Sequence, residues 1–314
     1  MTAPRHKTRV IAFPGAPNLP IFAALEEGFF AERDLAVEIE LTPSSIYQAE
    51  EVAAGTFDVA MTAFDNVVAY STGQGAAGPG VDPAYVAVMG ATQLELSFVT
   101  APEITRFEDL RGRSIALDAK DTGFAFVLSE MLERAGLAPG ETDYVAVGAT
   151  PQRWQSVQAG THVGTLTIEP FTTLATRAGF QVLQKSTDIL PAYQGGVMAA
   201  NRGYREAQPE ALSAYMRGYL AGLDWVRRPK NREAAAAHLQ KHMPAIKPQA
   251  VAPVMASLLD PRSGLTPEGA ILPEGMACVL DLRSRHGSGG ALSEDIAPYI
   301  DLSLWEEIRK GAPA

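Results

Sequence analysis

Three acidic residues, Asp65, Asp118 and Glu169, each follow a short apolar run that has the length of a buried strand. An ionised carboxylate attracts a cation, an amine or an N–H heterocycle, and it repels an anion. Each acid is equally well explained as a solvated loop residue, and Asp65 with Asn66 as a helix cap. If the three strand ends meet, these carboxylates predict a site for a nitrogen-containing ligand.

Other side chains suit a ligand of the opposite charge or a neutral one. Arg153 can donate a forked pair of hydrogen bonds to a carboxylate or sulfonate, although a surface ion pair explains it equally well. Phe124 can stack on an aromatic ligand or belong to the core. Gln93 and Gln194 can donate or accept neutral hydrogen bonds. Together, the candidates favour a small zwitterion or nitrogen heterocycle over a bare oxyanion.

The elements that must position these residues are strands that run directly into helices. Residues 59–62 are typical of a strand, and a helix is predicted from Phe64 to about Gly73. Residues 114–117 and a helix that opens at Gly123 repeat the arrangement. A helix that starts at a strand end leaves free backbone N–H groups in the crevice at that edge of the sheet. Two such turns facing each other would form a ligand cleft.

The predicted ligand-binding residues lie on these turns, on the loop after the first strand, and on two predicted crossings between the halves of the chain. They are Pro17, Asn18, Thr62, Phe64, Asp65, Asn66, Gln93, Asp118, Thr122, Gly123, Phe124, Arg153, Glu169 and Gln194. The alternation of strands and helices up to residue 73 predicts a parallel sheet with right-handed crossovers, and hence an α/β fold.

Composition excludes several classes of function. A net charge of -10 and 20% charged residues argue against nucleic-acid binding, which needs a basic face. The single cysteine, Cys278, excludes an intramolecular disulfide and a multi-cysteine metal site. The N-terminal sequence MTAPRHKTRV has no apolar stretch of the kind that a secretory signal contains. We expect either a cytosolic protein or one whose signal has been removed.

Candidate catalytic and metal-binding groups are sparse. His238 and His242 are four residues apart in a predicted helix, a spacing that can bind a metal, but no third ligand is in view. No G-x-S-x-G elbow, phosphate-binding loop or dinucleotide-binding glycine motif is present. We therefore expect no catalytic residues, no metal and no cofactor.

Several long segments resemble a known family. LPIFAALEEGFFAERDLAVEIE and AAGTFDVAMTAFDN are similar to the N-terminal domain of bacterial solute-binding proteins for sulfonates, taurine, nitrate and thiamine precursors. FEDLRGRSIALDAKDTGFAFVLSEMLERAGL is similar to the entry into that family's second domain. The resemblance implies a type II periplasmic-binding-protein fold, with two α/β lobes, two crossing segments and a ligand cleft between them. It places residues 1–92 and 197–314 in the first lobe, residues 93–196 in the second, and the helical C-terminal tail on the first lobe.

The same resemblance implies a function and its partners. It predicts the solute-binding component of an ABC importer, a periplasmic and monomeric protein that captures a small polar ligand by hinge closure and delivers it to a permease. The alternative is a cytosolic enzyme on the same fold, similar to a thiamine-pyrimidine synthase, a desulfinase or a decarboxylase. The desulfinase uses an N-terminal cysteine and the synthase a cysteine-rich motif with a histidine, and this chain has neither cysteine feature.

Overall fold

The structure is a computed structural model that describes residues 4–311, so the first three residues of the N-terminal segment lie outside it. The strands are β1 His6–Ala12, β2 Leu35–Leu41, β3 Val59–Ala63, β4 Tyr85–Thr92, β5 Ser97–Thr100, β6 Ser114–Leu117, β7 Asp143–Ala146, β8 Gly164–Thr167, β9 Gln181–Lys185 and β10 Gly196–Asn201. The α-helices are α1 Leu19–Glu26, α2 Ser45–Ala53, α3 Phe64–Ser71, α4 Gly123–Arg134, α5 Thr150–Gln158, α6 Phe171–Arg177, α7 Arg202–Ala207, α8 Pro209–Arg227, α9 Arg232–His242, α10 Pro248–Leu258, α11 Pro273–His286 and α12 Ser303–Lys310.

The strands form two five-stranded sheets built on one plan. The first sheet has the order β2-β1-β3-β10-β4, and the second has the order β7-β6-β8-β5-β9. In each sheet three neighbouring strands are parallel, and a fourth strand runs antiparallel to both of its neighbours: β10 in the first sheet and β5 in the second. Each sheet and its helices form one lobe, which confirms the predicted two-lobed α/β fold.

Two strands are buried along their whole length. β4 lies at the edge of the first sheet and β8 lies in the middle of the second. Strands that are covered by helices on both faces are typically continuous apolar runs of this kind. The carboxyl ends of the parallel strands point toward the space between the lobes, where the loops before α1, α3, α4 and α5 begin.

The first predicted helix is shorter than expected. The sequence predicts about a dozen helical residues from Ile21, but α1 ends at Glu26, and a separate 3-10 turn covers Ala31–Arg33. Gly28 has a φ of 79°, which right-handed helix cannot accommodate. The glycine therefore divides the predicted helix.

The sequence predicts tail helices over residues 209–226, 231–242, 248–259, 273–285 and 303–310. The corresponding helices α8 to α12 have bounds within one residue of these. α8 packs on α1 and α12 packs on α8, as expected for a tail on the first lobe. α10 and α11 also contact α6 and α4 of the second lobe. The tail therefore spans both lobes. No helix within residues 4–311 has the length and apolar character needed to cross a bilayer.

Candidate functional site

An open cavity, whose empty space of about 820 Å³ includes solvent outside its mouth, lies between the two lobes. Its wall is largely apolar, with a few polar side chains. The lining residues are Phe13, Gly15, Pro17, Asn18, Met61, Thr62, Ala63, Asn66, Ala91, Thr92, Leu94, Asp118, Thr122, Gly123, Phe124, Thr150, Arg153, Ile168, Gly195, Gly196 and Val197. Both lobes and both crossings contribute, so the cavity exists only when the lobes are together.

Four helices begin at this cavity. α3 starts after Ala63, α4 after Thr122 and α5 at Thr150, and none of these three N-termini has a side-chain cap. α1 starts after Asn18, but a 3-10 turn over Ala16–Asn18 precedes it directly, and Leu19 N donates to Ala16 O. The first N–H groups of a helix lack partners within the helix, and together with the helix dipole they favour a negative charge. By contrast, α2 does not line the cavity, and its N-terminus is capped by Ser44.

Arg153 is a buried cation in the cavity wall. Its side chain donates from Nη1 to Thr165 Oγ1 at 3.2 Å and to Leu166 O at 2.8 Å, and from Nη2 to Thr150 Oγ1 at 2.8 Å. The Nε atom has no hydrogen-bond partner. Within residues 4–311, no carboxylate oxygen lies within 4.0 Å of the guanidinium. Arg153 therefore brings a positive charge to the cavity that the described part of the chain does not pair.

The surroundings of Arg153 make that charge costly. The residue is 2% exposed, and its Cζ lies 5.6 Å from the centroid of the Phe124 ring. Burial lowers the pKa of Arg153 to about 10, although Asp118 acts to raise it. A buried charge normally needs a partner, because desolvation penalises it strongly. An anionic ligand in the cavity would supply one.

The acidic residues near the cavity already have partners within the protein. The Asp118 carboxylate accepts hydrogen bonds from Ser45 N, at the first turn of α2, at 3.1 and 3.3 Å. The Glu169 carboxylate accepts from Thr173 N at 3.3 Å and Thr173 Oγ1 at 3.0 Å, and burial raises its pKa. Both carboxylates therefore have hydrogen-bond donors within the protein, and of the two only Asp118 is among the described residues that line the cavity.

Asp65 was expected to face the crevice but does not line the cavity. It forms a two-pronged ion pair with Arg283 of α11, with both N···O distances at 2.7 Å and both side chains 1% exposed. Its neighbour Phe64 also points away from the cavity and packs edge-on against Tyr299, with ring centroids 6.2 Å apart. Because α3 has Ala63 as its N-cap, neither Asp65 nor Asn66 caps the helix.

Gln93 and Gln194 do not line the cavity; their side chains form hydrogen bonds with the backbone at the two crossings. Gln93 Nε2 donates to Pro261 O at 2.7 Å. Gln194 Nε2 donates to Gly196 O at 2.8 Å, and its Oε1 accepts from Leu272 N at 2.9 Å. The crossings therefore reach the cavity through their neighbours Leu94, Gly195 and Gly196.

The structure brings together nine of the fourteen predicted residues. They are Pro17, Asn18, Thr62, Asn66, Asp118, Thr122, Gly123, Phe124 and Arg153. The remaining five, Phe64, Asp65, Gln93, Glu169 and Gln194, are adjacent in sequence to the cavity but do not line it. Sequence reasoning missed mainly apolar and glycine residues of the wall. These residues carry no polar group that would indicate a binding site, so the sequence offered only their proximity to the predicted strand ends as a signal.

Direct hydrogen bonds join the lobes on either side of the cavity. Ala16 N donates to Glu169 O at 2.9 Å, and Ala149 N donates to Pro43 O at 2.8 Å. Gly123 at the start of α4 lies against Asp65, so closely that an added Cβ would stand 2.7 Å from the Asp65 Cβ. The lobes are thus in close contact around the cavity.

Two histidine sites lie away from the cavity. Among the described residues, His238 and His242 belong to no group of three potential metal ligands. His238 contacts Glu27 at 2.7 Å and His242 contacts Glu26 at 2.8 Å, on the surface of the first lobe. Within residues 4–311, the three groups spaced closely enough to hold a metal ion are Glu130, Glu133 and His286. Arg134 and Arg285 already donate to the Glu130 carboxylate, which argues against a metal there.

The model of the NMT1-like family matches residues 3–240. This chain belongs to the NMT1-like family. The predicted relationship to sulfonate- and nitrate-binding proteins is thereby confirmed at the level of the family and the fold. Among curated proteins, none matches the sequence.

Solved structures share the fold at low sequence identity. The periplasmic nitrate-binding protein NrtA from Synechocystis PCC 6803 is 12% identical, with a TM-score of 0.82 over 98% of this chain and 90% of that one. The alkanesulfonate-binding protein SsuA from Xanthomonas axonopodis pv. citri, bound to MOPS, is 15% identical, with a TM-score of 0.74 over 96% and 99%. The desulfurization enzyme DSZB is 12% identical, with a TM-score of 0.65 over 96% and 99%.

Proposed function

We propose that this protein is the solute-binding component of an ABC importer and that it captures a small organic anion between its lobes. The observation that carries the proposal is Arg153, a cation in the cavity wall with no carboxylate partner among residues 4–311. Ligand contacts to both lobes would favour the closed state over the open one, which is hinge closure by population shift. We place the first lobe at residues 1–92 and 197–314 and the second at 93–196.

The wall of the cavity narrows the ligand further. Phe13, Met61, Phe124 and Ile168 supply apolar surface. The ligand we propose therefore has one anionic group near Arg153 and an apolar body. The nitrate- and alkanesulfonate-binding neighbours support an anion as well.

The alternative of an enzyme on the same fold receives no support from the cavity wall. Its described lining residues include no histidine, cysteine, lysine, serine or tyrosine. The carboxylate in the wall, Asp118, accepts hydrogen bonds from Ser45 N, and among residues 4–311 no base lies beside the threonines of the wall to activate one as a nucleophile. Cys278 lies on α11 outside the wall, and burial raises the pKa of its thiol to about 11, which opposes nucleophilic use.

The cellular setting follows from the same proposal. We propose a periplasmic location, a monomeric state and a permease partner, in line with the periplasmic nitrate-binding neighbour. Despite the net charge of -10, Arg153 and the uncapped N-termini of α3, α4 and α5 favour an anion locally in the cavity.

A thermal-unfolding test with matched compounds separates the ligand classes. Hexanesulfonate, hexanoate and hexylamine share one apolar body and differ in the charged group. We expect one or both anions to raise the melting temperature and hexylamine to leave it unchanged. A ligand at 100 times its dissociation constant stabilises the folded state by about 2.7 kcal/mol.

The outcome that contradicts the proposed ligand class is stabilisation by hexylamine alone. Small-angle scattering tests closure separately, by comparing the radius of gyration of the protein with and without the stabilising anion. We expect the anion to reduce the radius of gyration, unless the protein without the anion already has the radius of the closed form. An expanded molecule that stays expanded when saturated with that anion would contradict hinge closure.

A further inference from the structure

The segment that contains α11 leaves the first lobe and returns to it. Leu265, before the helix, bridges to Thr92 of β4, and Ile300, after the helix, bridges to Ala87 of the same strand. Between these two anchors, α11 lies across α3 of the first lobe and α4 of the second. The segment is therefore a strap that is attached to one lobe at both ends and rests on the other lobe in its middle.

Arg283 attaches the strap at the seam between the lobes. Its guanidinium pairs with Asp65 of α3 at 2.7 Å, and its Nη2 also donates across the seam to Asp121 O at 3.3 Å. Its Cζ lies 4.9 Å from the ring centroid of Phe126, a residue of α4. One side chain of α11 thus contacts both lobes.

Two residues near the end of α11, Arg285 and His286, contact the second lobe. Arg285 Nη1 donates to Glu130 Oε2 at 2.5 Å, and His286 Nε2 lies 2.9 Å from the same oxygen. Glu130 belongs to α4 and its side chain is 5% exposed. Opening the cleft by moving α4 away from the first lobe would break these contacts, because both ends of the strap stay on β4.

We propose that α11 is a latch for the closed state, with Arg285 and Glu130 as its main contact. The inference rests on the proposed hinge closure and adds the regulation of that same site. The latch lies outside the cavity wall, so it changes the closed population without touching the ligand. Contacts present in one state and absent from the other shift the equilibrium by their differential free energy.

Disulfide trapping measures the closed population without any ligand. Pro43→Cys and Ala149→Cys, in a Cys278→Ser background, place one thiol on each lobe at a point where the backbones meet at 2.8 Å. With oxidised glutathione as oxidant, the cross-linking rate follows the fraction of closed molecules. We expect Arg285→Ala and Glu130→Gln each to slow cross-linking by about tenfold, equivalent to ~1.4 kcal/mol.

Arg228→Ala is the matched control, because Arg228, directly after α8, pairs with Asp224 of that helix and forms no ion pair with the second lobe within residues 4–311. It should leave the rate unchanged. The double variant Arg285→Ala/Glu130→Gln should be little slower than either single variant, since both remove one contact. Thermal unfolding of each variant shows that it is folded.

Two outcomes would overturn the latch, and they differ in what else they overturn. Normal trapping in the parent with equal trapping in Arg285→Ala and Glu130→Gln refutes the latch and leaves hinge closure intact. A parent protein whose two thiols cross-link neither as a disulfide nor through a short bifunctional maleimide does not reach this arrangement, which refutes both closure and the latch.

Discussion

Two buried arginines, Arg153 and Arg283, have similar surroundings and opposite pairing. Arg153 is 2% exposed and Arg283 is 1% exposed, and each guanidinium lies over a phenylalanine ring. Arg283 is held by the Asp65 carboxylate at 2.7 Å. Arg153 has only neutral acceptors, namely two threonine hydroxyls and one backbone carbonyl.

The pKa values of the two side chains reflect this difference. Burial acts to lower the pKa of both guanidinium groups. At Arg153 burial prevails, and the pKa is lowered to about 10. At Arg283 the Asp65 carboxylate outweighs burial, and the pKa is raised. The Asp65 carboxylate therefore makes Arg283 a structural residue. Arg153 has no carboxylate oxygen within 4.0 Å among residues 4–311, which leaves it available to an anionic ligand.

The largest effect should come from breaking the paired arginine. Asp65→Asn removes the partner charge and leaves Arg283 buried and uncompensated, so we expect the free energy of unfolding to fall by about 3–5 kcal/mol. Urea denaturation measures this loss. A loss below ~1 kcal/mol, the value typical of an exposed ion pair, would show that the Asp65–Arg283 pair is not the structural contact we infer.

Arg153→Met should affect ligand binding more than folding. The substitution removes a desolvated charge and also leaves three acceptors without a donor, and these opposing terms should change the free energy of unfolding by less than about 2 kcal/mol. Arg153 is the one cation among the described residues of the wall, so its loss should weaken binding of the stabilising anion by about 100-fold.

Calorimetric titration with that anion checks this prediction, and Arg228→Ala serves as a control for loss of an arginine outside the cavity. Unchanged affinity in Arg153→Met, with a large loss of stability, would make Arg153 a structural residue like Arg283 and erase the contrast between them.

The smallest effect should be the pH dependence of stability at Glu130, the carboxylate that pairs with Arg285. Burial acts to raise the pKa of Glu130, but Arg285, His286 and Arg134 together lower it to about 2, from an ordinary value of 4.5. A carboxyl group with a lowered pKa stabilises the folded state fully above pH 4.5, and this contribution is lost as the pH falls toward 2.

Urea denaturation of the parent and Glu130→Gln across that range checks the sign. The stability difference between the two proteins should be greatest above pH 4.5 and shrink as the solution becomes more acidic. A difference that stays constant down to pH 2 would mean that the Glu130 charge contributes nothing to the folded state.

Much of the fold could be predicted because it follows from local patterns. The apolar periodicity, the Ser44 cap and the turn at Gly55 gave α2 its observed bounds to within one residue, and the tail helices agree equally well. α1 was predicted too long because Gly28 was treated as part of a helix. The positions of the strand ends then predicted where a cleft would form.

The order and period of elements in the sequence determined an α/β fold whose strands run into helix N-termini, and the resemblance to the solute-binding family implied the two lobes. Only the tertiary structure decided which charges remain for a ligand. Asp65 and Arg283 are 218 residues apart, and Asp118 reaches Ser45 across the cleft. Ion pairing depends on contacts of a few ångströms between distant segments, and no local pattern in the chain encodes them.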